Sequence, residues 1–457
     1  MAFARSACCA CVALVAVAGI AAPGAQAAKK RTVRGELRRM LLAGAIDPAE
    51  HDSRRDTFER VKGTVRRLPA GARRNELGAV VRDVEGIAAR GSLTLSRLDP
   101  LWLTLERNRQ WWTTRPRLPG GWRVSFPGSE LVWQYYPGQG LQLQPLASFG
   151  KLNALWAGKV YDDRLARLLD ELLGVAAERG AGVAWEYYFT YAGGRPPWVS
   201  GLAQGTAVQA LARAAIRLGR KEEVLPLAER ALGVFEARPP VGVRVPIGDG
   251  AHYAEYSFRP RLRVLNAFAQ ALVGLSDFAG YANDDRARGL FADGERVARR
   301  EVPSFDTGAW SLYSRGAVTH ESDLGYHRLL RGFLRGLCAR TERPVYCDTE
   351  SNFARYETER PRLEVVTTRL RGGTAGRLRF RLSKISGVGL RVALGSKLVF
   401  ARAAVPVGYG TRTLAWPVPR RPGRYSVALT AVDLAGNVGT TSSVVEVSKP
   451  KRERARP

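Results

Sequence analysis

The chain is poor in the residues that metal and redox sites draw on. Its 457 residues include four histidines (His51, His252, His320 and His327), two methionines and five cysteines. No two histidines stand at H-x-x-x-H spacing, so nothing in the pattern calls for a transition metal. There is no phosphate loop and no Ser-His-Asp order, and no zinc finger or aromatic RNA-binding signature points to nucleic acid. Long apolar runs are also scarce. The single one, Cys8 to Ala22, follows Arg5 and ends at Pro23-Gly24, with Ala25-Gln26-Ala27 as a small-x-small cleavage site. It is shorter than the roughly 20 residues that span a bilayer and has the layout of a secretory signal peptide over 1–27. The mature protein is therefore expected outside the membrane, secreted or at the cell surface.

Cleavage there removes Cys8, Cys9 and Cys11. Cys338 and Cys347 remain, nine residues apart, without C-x-x-C partners. In an exported chain such a pair is a disulfide candidate, with two free thiols as the alternative. Lysine is scarce as well: ten of the 71 cationic residues, against 42 acidic ones, for a formal charge of +29. Such a charge attracts polyanions, which outside a cell are acidic polysaccharides or anionic envelope surfaces. An arginine excess can also reflect genome composition.

Periodicity divides the chain. Residues 28–110 read as a helical segment, with Leu37, Met40, Leu41 and Ala45 at helical spacing. Between 111 and 160, Trp111, Trp112, Trp122, Trp133, Tyr135, Tyr136 and Trp156 are interrupted by Pro-Gly steps. That suits a loop-rich wall of a carbohydrate cleft. From 161 to 342, amphipathic helices of similar length alternate with loops, which suggests antiparallel pairs in an (α/α) toroid or barrel. A linker is expected at 343–357. Residues 358–448 change to strand alternation, as in Arg377–Ser383 and Arg424–Val432, and read as an Ig-like β-sandwich. In the second of these, Val427, Leu429 and Val432 are expected to face inward, which needs one bulge. A basic tail, 449–457, follows. The fold class is thus multidomain and mainly α, with a toroid over 111–342 and a C-terminal sandwich. The sandwich offers a route to envelope association, and a homodimer is compatible with the sequence.

The chemistry-bearing residues lie in loops between the middle helices: Trp198-Val-Ser-Gly-Leu-Ala-Gln204-Gly, Glu255-Tyr256-Ser257, Val264-Leu-Asn266-Ala-Phe, Asp306-Thr-Gly-Ala-Trp-Ser-Leu-Tyr313-Ser-Arg315, and Tyr326-His327. Singly, each Tyr or His here reads as a packing residue, and Asp306-Thr307-Gly308 as a turn. In this order and spacing the blocks resemble the D-glucuronyl C5-epimerases, over about 198–340 and more loosely at Tyr136-Pro137. The resemblance implies inversion at C5 of hexuronic acid residues within an acidic polysaccharide, with no nucleotide or redox cofactor, because the carboxylate supplies the acidity. Tyr256, Tyr313 and Tyr326 would be acid/base groups, with Glu255 orienting a hydroxyl or acting as base. Arg315 would partner the substrate carboxylate. Trp198, Gln204, Asn266, His327 and Tyr136 would bind substrate. A free tyrosine titrates near 10, so a tyrosine base needs a nearby cation, and Arg315 and His327 are nearest in sequence. Two departures stand out. Arg315 follows Tyr313 by two residues where the family has three, and Arg328-Leu329-Leu330 follow His327 where the family has polar residues and a second His. A polysaccharide lyase, which shares the C5 abstraction, and a non-catalytic glycan-binding protein remain the alternatives.

Overall fold

The computed structural model describes residues 31–451; the segment read as a signal peptide and most of the basic tail lie outside them. Residues 33–356 are built largely of helices around one continuous hydrophobic core, and residues 378–447 enclose a second. Among the described residues, no helix is long and apolar enough to cross a membrane.

Helix starts follow local chemistry. Thr32, Asp47, Ser200, Asp284 and Asp323 each accept a hydrogen bond from the backbone N–H three residues on, satisfying donors that a helix cannot pair internally. The first helices, Val33–Leu42, Pro48–Arg67, Ala72–Ala89 and Leu98–Thr114, share the core of the middle of the chain. The aromatic stretch 111–160 is more regular than its Pro-Gly steps imply. Trp111 and Trp112 end the fourth helix, a three-stranded antiparallel sheet spans Arg123–Val124, Trp133–Tyr136 and Gly140–Leu143, and Trp156 lies in the helix Pro145–Gly158. Trp112 and Trp133 are core residues; of the seven aromatics, Tyr136 lines the cleft described below.

Helices Gly201–Leu218 and Leu265–Ala282 are buried almost all round and pack on each other, as helices at the centre of a domain do. Two glycines set their distance. A Cβ on Gly274 would stand 2.0 Å from the carbonyl oxygen of Gly205, and one on Gly205 would stand 2.6 Å from Cα of Ala271. Gly274→Ala therefore forces the pair apart and is expected to cost about 2–3 kcal/mol, the scale of overpacking a dense core. A thermal midpoint equal to that of the wild type would show that the helices do not touch there.

Helix Leu324–Thr341 packs on Leu265–Ala282 and on Pro344–Tyr356. The last of these replaces the linker expected at 343–357. Tyr346 and Phe353 anchor it in the core, and the Cys338–Cys347 disulfide ties it to its neighbour.

In the C-terminal region, a three-stranded sheet (Leu363–Val365, Ala375–Leu382, Gly410–Pro417) faces a five-stranded one (Arg369–Arg371, Val438–Ser448, Gly423–Asp433, Ser386–Leu394, Lys397–Val407) across a shared core. The strand Gly423–Asp433 alternates without a bulge. Tyr425, Val427, Leu429, Ala431 and Asp433 point inward, and Val432 faces solvent. The expected bulge is unnecessary because Asp433 ends the inward row as the 2.7 Å partner of buried Lys384. The two cores meet behind the loops that carry the sequence blocks. The Glu321 carboxylate accepts from the backbone N–H of Ile385 and of Tyr409, at 2.7 Å each. Lys384 donates to the carbonyls of Tyr356 and Glu359, and Asn437 donates to that of Glu357.

Candidate active site

Four loops converge at one end of the central helix pair. Ser200 caps the helix Gly201–Leu218, and the N–H of Gly201 bonds the carbonyl of Ala254 at 3.1 Å. A side chain at 201 would strike that oxygen, since its Cβ would lie 2.6 Å away. The contact brings Glu255 and Tyr256 onto the start of the helix. Asn266 enters from the first turn of Leu265–Ala282. Tyr313 comes from the strand Leu312–Gly316, paired to Leu262–Val264. Tyr326 comes from the first turn of Leu324–Thr341, where its N–H is held by Asp323 at 2.7 Å.

These residues line a cleft of about 370 Å³ together with Tyr136, Trp198, Tyr187, Phe189, Tyr191 and Arg123. The volume is at the small end for a ligand site. Trp198 stacks flat on Tyr187, with ring centroids 4.1 Å apart and planes 6° apart, and Tyr191 stacks 5.9 Å beyond it. Tyr313 and Tyr326 lie 4.7 Å apart, ring to ring. Gln144 donates to the Tyr136 hydroxyl at 2.7 Å and accepts from that of Tyr187 at 2.9 Å.

Two buried oxygens in the cleft have no protein partner: Oε2 of Glu255 and Oδ1 of Asn266. Buried polar atoms are normally satisfied, so an unpartnered pair facing one cavity marks a place for a polar ligand. Burial pushes the Glu255 carboxyl up to about 7, while a weak 3.4 Å bond from Ser200 pulls the other way. Burial, with the nearby Glu255 charge, also raises Tyr256, Tyr313 and Tyr326 above the ordinary tyrosine range. Burial and the neighbouring Tyr191 take Tyr136 to about 12. Near neutral pH the tyrosines are proton donors, and the carboxyl is the group poised to change state.

Three sequence assignments do not reach the cleft. Arg315 pairs with Arg263 across the strands and stands over the Phe305 ring at 5.9 Å, where its charge acts on Glu301. Beyond Tyr313 the strand runs on to the bend at Gly316, so its arginine faces another carboxylate. His327 is fully buried, stacked on Trp310 at 3.8 Å. Its Nε2 donates to the carbonyl of Phe353, which leaves Nδ1 to accept from the Ser311 hydroxyl. Burial lowers its affinity for a proton; it braces the helix that carries Tyr326. Gln204 lies one turn below the helix start, its amide donating to the carbonyl of Trp185 at 3.1 Å.

The cleft's cation is instead Arg123, which sits across from Gln134 on the neighbouring strand and donates to its side chain at 3.1 Å. Nothing in the sequence around it signals this. Tyr187, Phe189 and Tyr191 were also missed, although an aromatic at every second position is the signal that could have found them as one wall.

A desolvated carboxyl among protonated tyrosines, walled by stacked aromatic rings, is the apparatus of an acid–base site for a polar, ring-shaped ligand. Residues 179–355 match the family described as D-glucuronyl C5-epimerase C-terminus. The chain is 31% identical over 131 residues to the D-glucuronyl C5-epimerase of Caenorhabditis elegans, a stretch covering 26% of this chain and 21% of that protein. It thus spans about a fifth of that relative's length. Among solved structures, a Cellulomonas fimi endo-beta-1,4-mannanase double mutant aligns over 81% of this chain and 85% of its own at 12% identity, with a TM-score of 0.14; so low a score supports no statement of fold or function.

Proposed function

We propose that the protein is an exported epimerase inverting C5 of hexuronic acid residues within an acidic polysaccharide. The observation that carries this is the buried, half-unpartnered Glu255 carboxyl facing three tyrosine hydroxyls, on the very segment that matches the family. The proton alpha to a carboxylate is removed from one face of the ring and another is delivered to the opposite face. Glu255, titrating near neutrality, is the base for one epimer; a protonated tyrosine among Tyr256, Tyr313 and Tyr326 delivers the proton to the other face. Each turnover leaves Glu255 protonated and the tyrosine ionised, and exchange with water resets both. Arg123 and the Asn266 amide bind the substrate carboxylate, where negative charge accumulates, and the Trp198–Tyr191 wall stacks on the sugar.

Export is supported by the leader-like sequence and the disulfide. We read the paired helices as an (α/α) toroid and the two-sheet region as an Ig-like sandwich that spaces or anchors it.

Incubating the whole chain with a panel of uronate polymers in deuterated water, followed by NMR, tests the function. The expected result is deuterium at C5 with inverted stereochemistry. No exchange on any uronate polymer overturns the reading, and an ultraviolet-absorbing unsaturated product would mark a lyase instead.

A further inference from the structure

Between Tyr313 and Tyr326 the chain makes a short return, and the two-sheet region holds it. His320 and Glu321 pair with the strand that carries Tyr313, opposite Ser314 and Leu312, on either side of that tyrosine. Two residues past Glu321, Asp323 caps the helix that carries Tyr326. Both oxygens of Glu321 turn away to the sandwich. Oε1 accepts from the N–H of Ile385, just before the strand Ser386–Leu394, and Oε2 from the N–H of Tyr409, in the turn between Lys397–Val407 and Gly410–Pro417. Hydrogen bonds to a charged acceptor are the strong class. The approach is close because Gly408 has no side chain: a Cβ there would stand 3.2 Å from Oε2. Ile385 and Tyr409 also pack against the helical core.

A second contact reaches the same segment from the neighbouring residue. The ammonium of buried Lys384 stands 5.4 Å from the centre of the Trp310 ring. That ring stacks on His327, next to Tyr326, and its indole N–H donates to the carbonyl of Ser322 at 2.9 Å. The N–H of Ser322 bonds the carbonyl of Ser311 at 3.0 Å, and the two serine hydroxyls meet at 2.9 Å. Two consecutive sandwich residues thus fix the segment 320–327 at two points. Glu255 and Tyr256 are set instead by the contact of Gly201 with Ala254, in which no sandwich residue takes part. Lys384, Ile385 and Tyr409 all lie beyond the segment that matches the epimerase family.

We propose that the sandwich, beyond spacing or anchoring the helical region, is part of the framework of the active site, and that Glu321 is the positioning residue through which it holds Tyr313 and Tyr326 together for proton return. The step affected rests on the epimerase reading; the brace itself does not. The donor to the second face of the sugar is then Tyr313 or Tyr326. A misplacement of about 1 Å costs a reacting group on the order of 10²-fold in rate, so loosening this segment slows return while abstraction by Glu255 continues.

The test is E321A in the whole chain, with E321Q beside it. Alanine removes both acceptors, and glutamine keeps one. Deuterium uptake at C5 of the starting epimer and inversion are followed together by NMR on a uronate polymer, with a thermal melt and amide hydrogen exchange by mass spectrometry. Inversion is expected to fall roughly tenfold or more in E321A and by less in E321Q, with uptake by the starting epimer within about twofold of wild type. Loss of folded protein would lower both rates equally, so the split marks positioning. Amide exchange is expected to quicken across 320–327 and to stay unchanged across 201–218, because local opening follows local contacts. Wild-type inversion in E321A, an equal fall of uptake and inversion, or unchanged amide exchange across 320–327 overturns the proposal. If the wild type converts no uronate polymer, the epimerase reading falls, and amide exchange alone decides whether the sandwich braces the segment.

Discussion

Glu255→Gln is expected to lower C5 proton exchange by roughly 10³-fold, or about 4 kcal/mol of transition-state stabilisation. The amide keeps the shape and the weak contact with Ser200 but cannot accept the proton. In the wild type, exchange should rise with pH through a midpoint near 7, where burial has moved this carboxyl, and the Gln variant should lack that limb. The same shift has a consequence for stability. Burial holds the folded carboxyl at about 7 against 4.5 for a free glutamate, so between those pH values the folded state holds a proton that the unfolded chain releases. Stability therefore falls as pH rises through that window. Glu255→Gln should melt with the wild type at pH 4 and above it at pH 8, a gain of about 3 kcal/mol. An active Gln variant, or a midpoint near 4.5 in the wild type, would remove Glu255 from the base role. Gain in stability with loss of activity is the usual signature of a strained functional group.

The second large effect is a separation of exchange from inversion. With a carboxylate on one face and a tyrosine on the other, removing the phenolic hydroxyl leaves abstraction intact but blocks delivery to the opposite face. One of Tyr256→Phe, Tyr313→Phe and Tyr326→Phe is expected to lower inversion by roughly 10²–10³-fold while the starting epimer still takes up deuterium at C5. Glu255 accounts for that uptake, because its abstracted proton exchanges with water before it returns. The measurement is NMR of the C5 position in both epimers against time, with a melt of each variant as control. Wild-type inversion in all three variants would sink the tyrosine assignment. Parallel loss of exchange and inversion in every one would move the base from Glu255 to a tyrosine.

The sequence blocks brought most of this cleft into view: Trp198, Glu255, Tyr256, Asn266, Tyr313 and Tyr326 all line it. They were legible because each sits where a loop enters a helix or strand whose start is written locally, as Ser200 and Asp323 do by capping. Gln204 and His327, one helical step away from such positions, point into packing instead. A motif gives the residue but not the azimuth at which the helix presents it. Arg315 failed for a related reason, since which carboxylate a strand arginine faces depends on the neighbouring strand. Trp111, Trp112 and Trp156 were misread because proline and glycine mark the turns of a small sheet as readily as an irregular loop.

By itself the sequence determined the helical and strand-rich regions, the cysteine pair and the order of the acid–base residues, all of which rest on local periodicity, capping and spacing. Tertiary structure alone decided which carboxyl is desolvated and which arginine lines the cleft. Desolvation and charge proximity are sums over residues distant in sequence, and no local pattern encodes them. In the function proposed above, the base is accordingly Glu255, one of the candidates the sequence offered, and the carboxylate partner is Arg123 in place of Arg315.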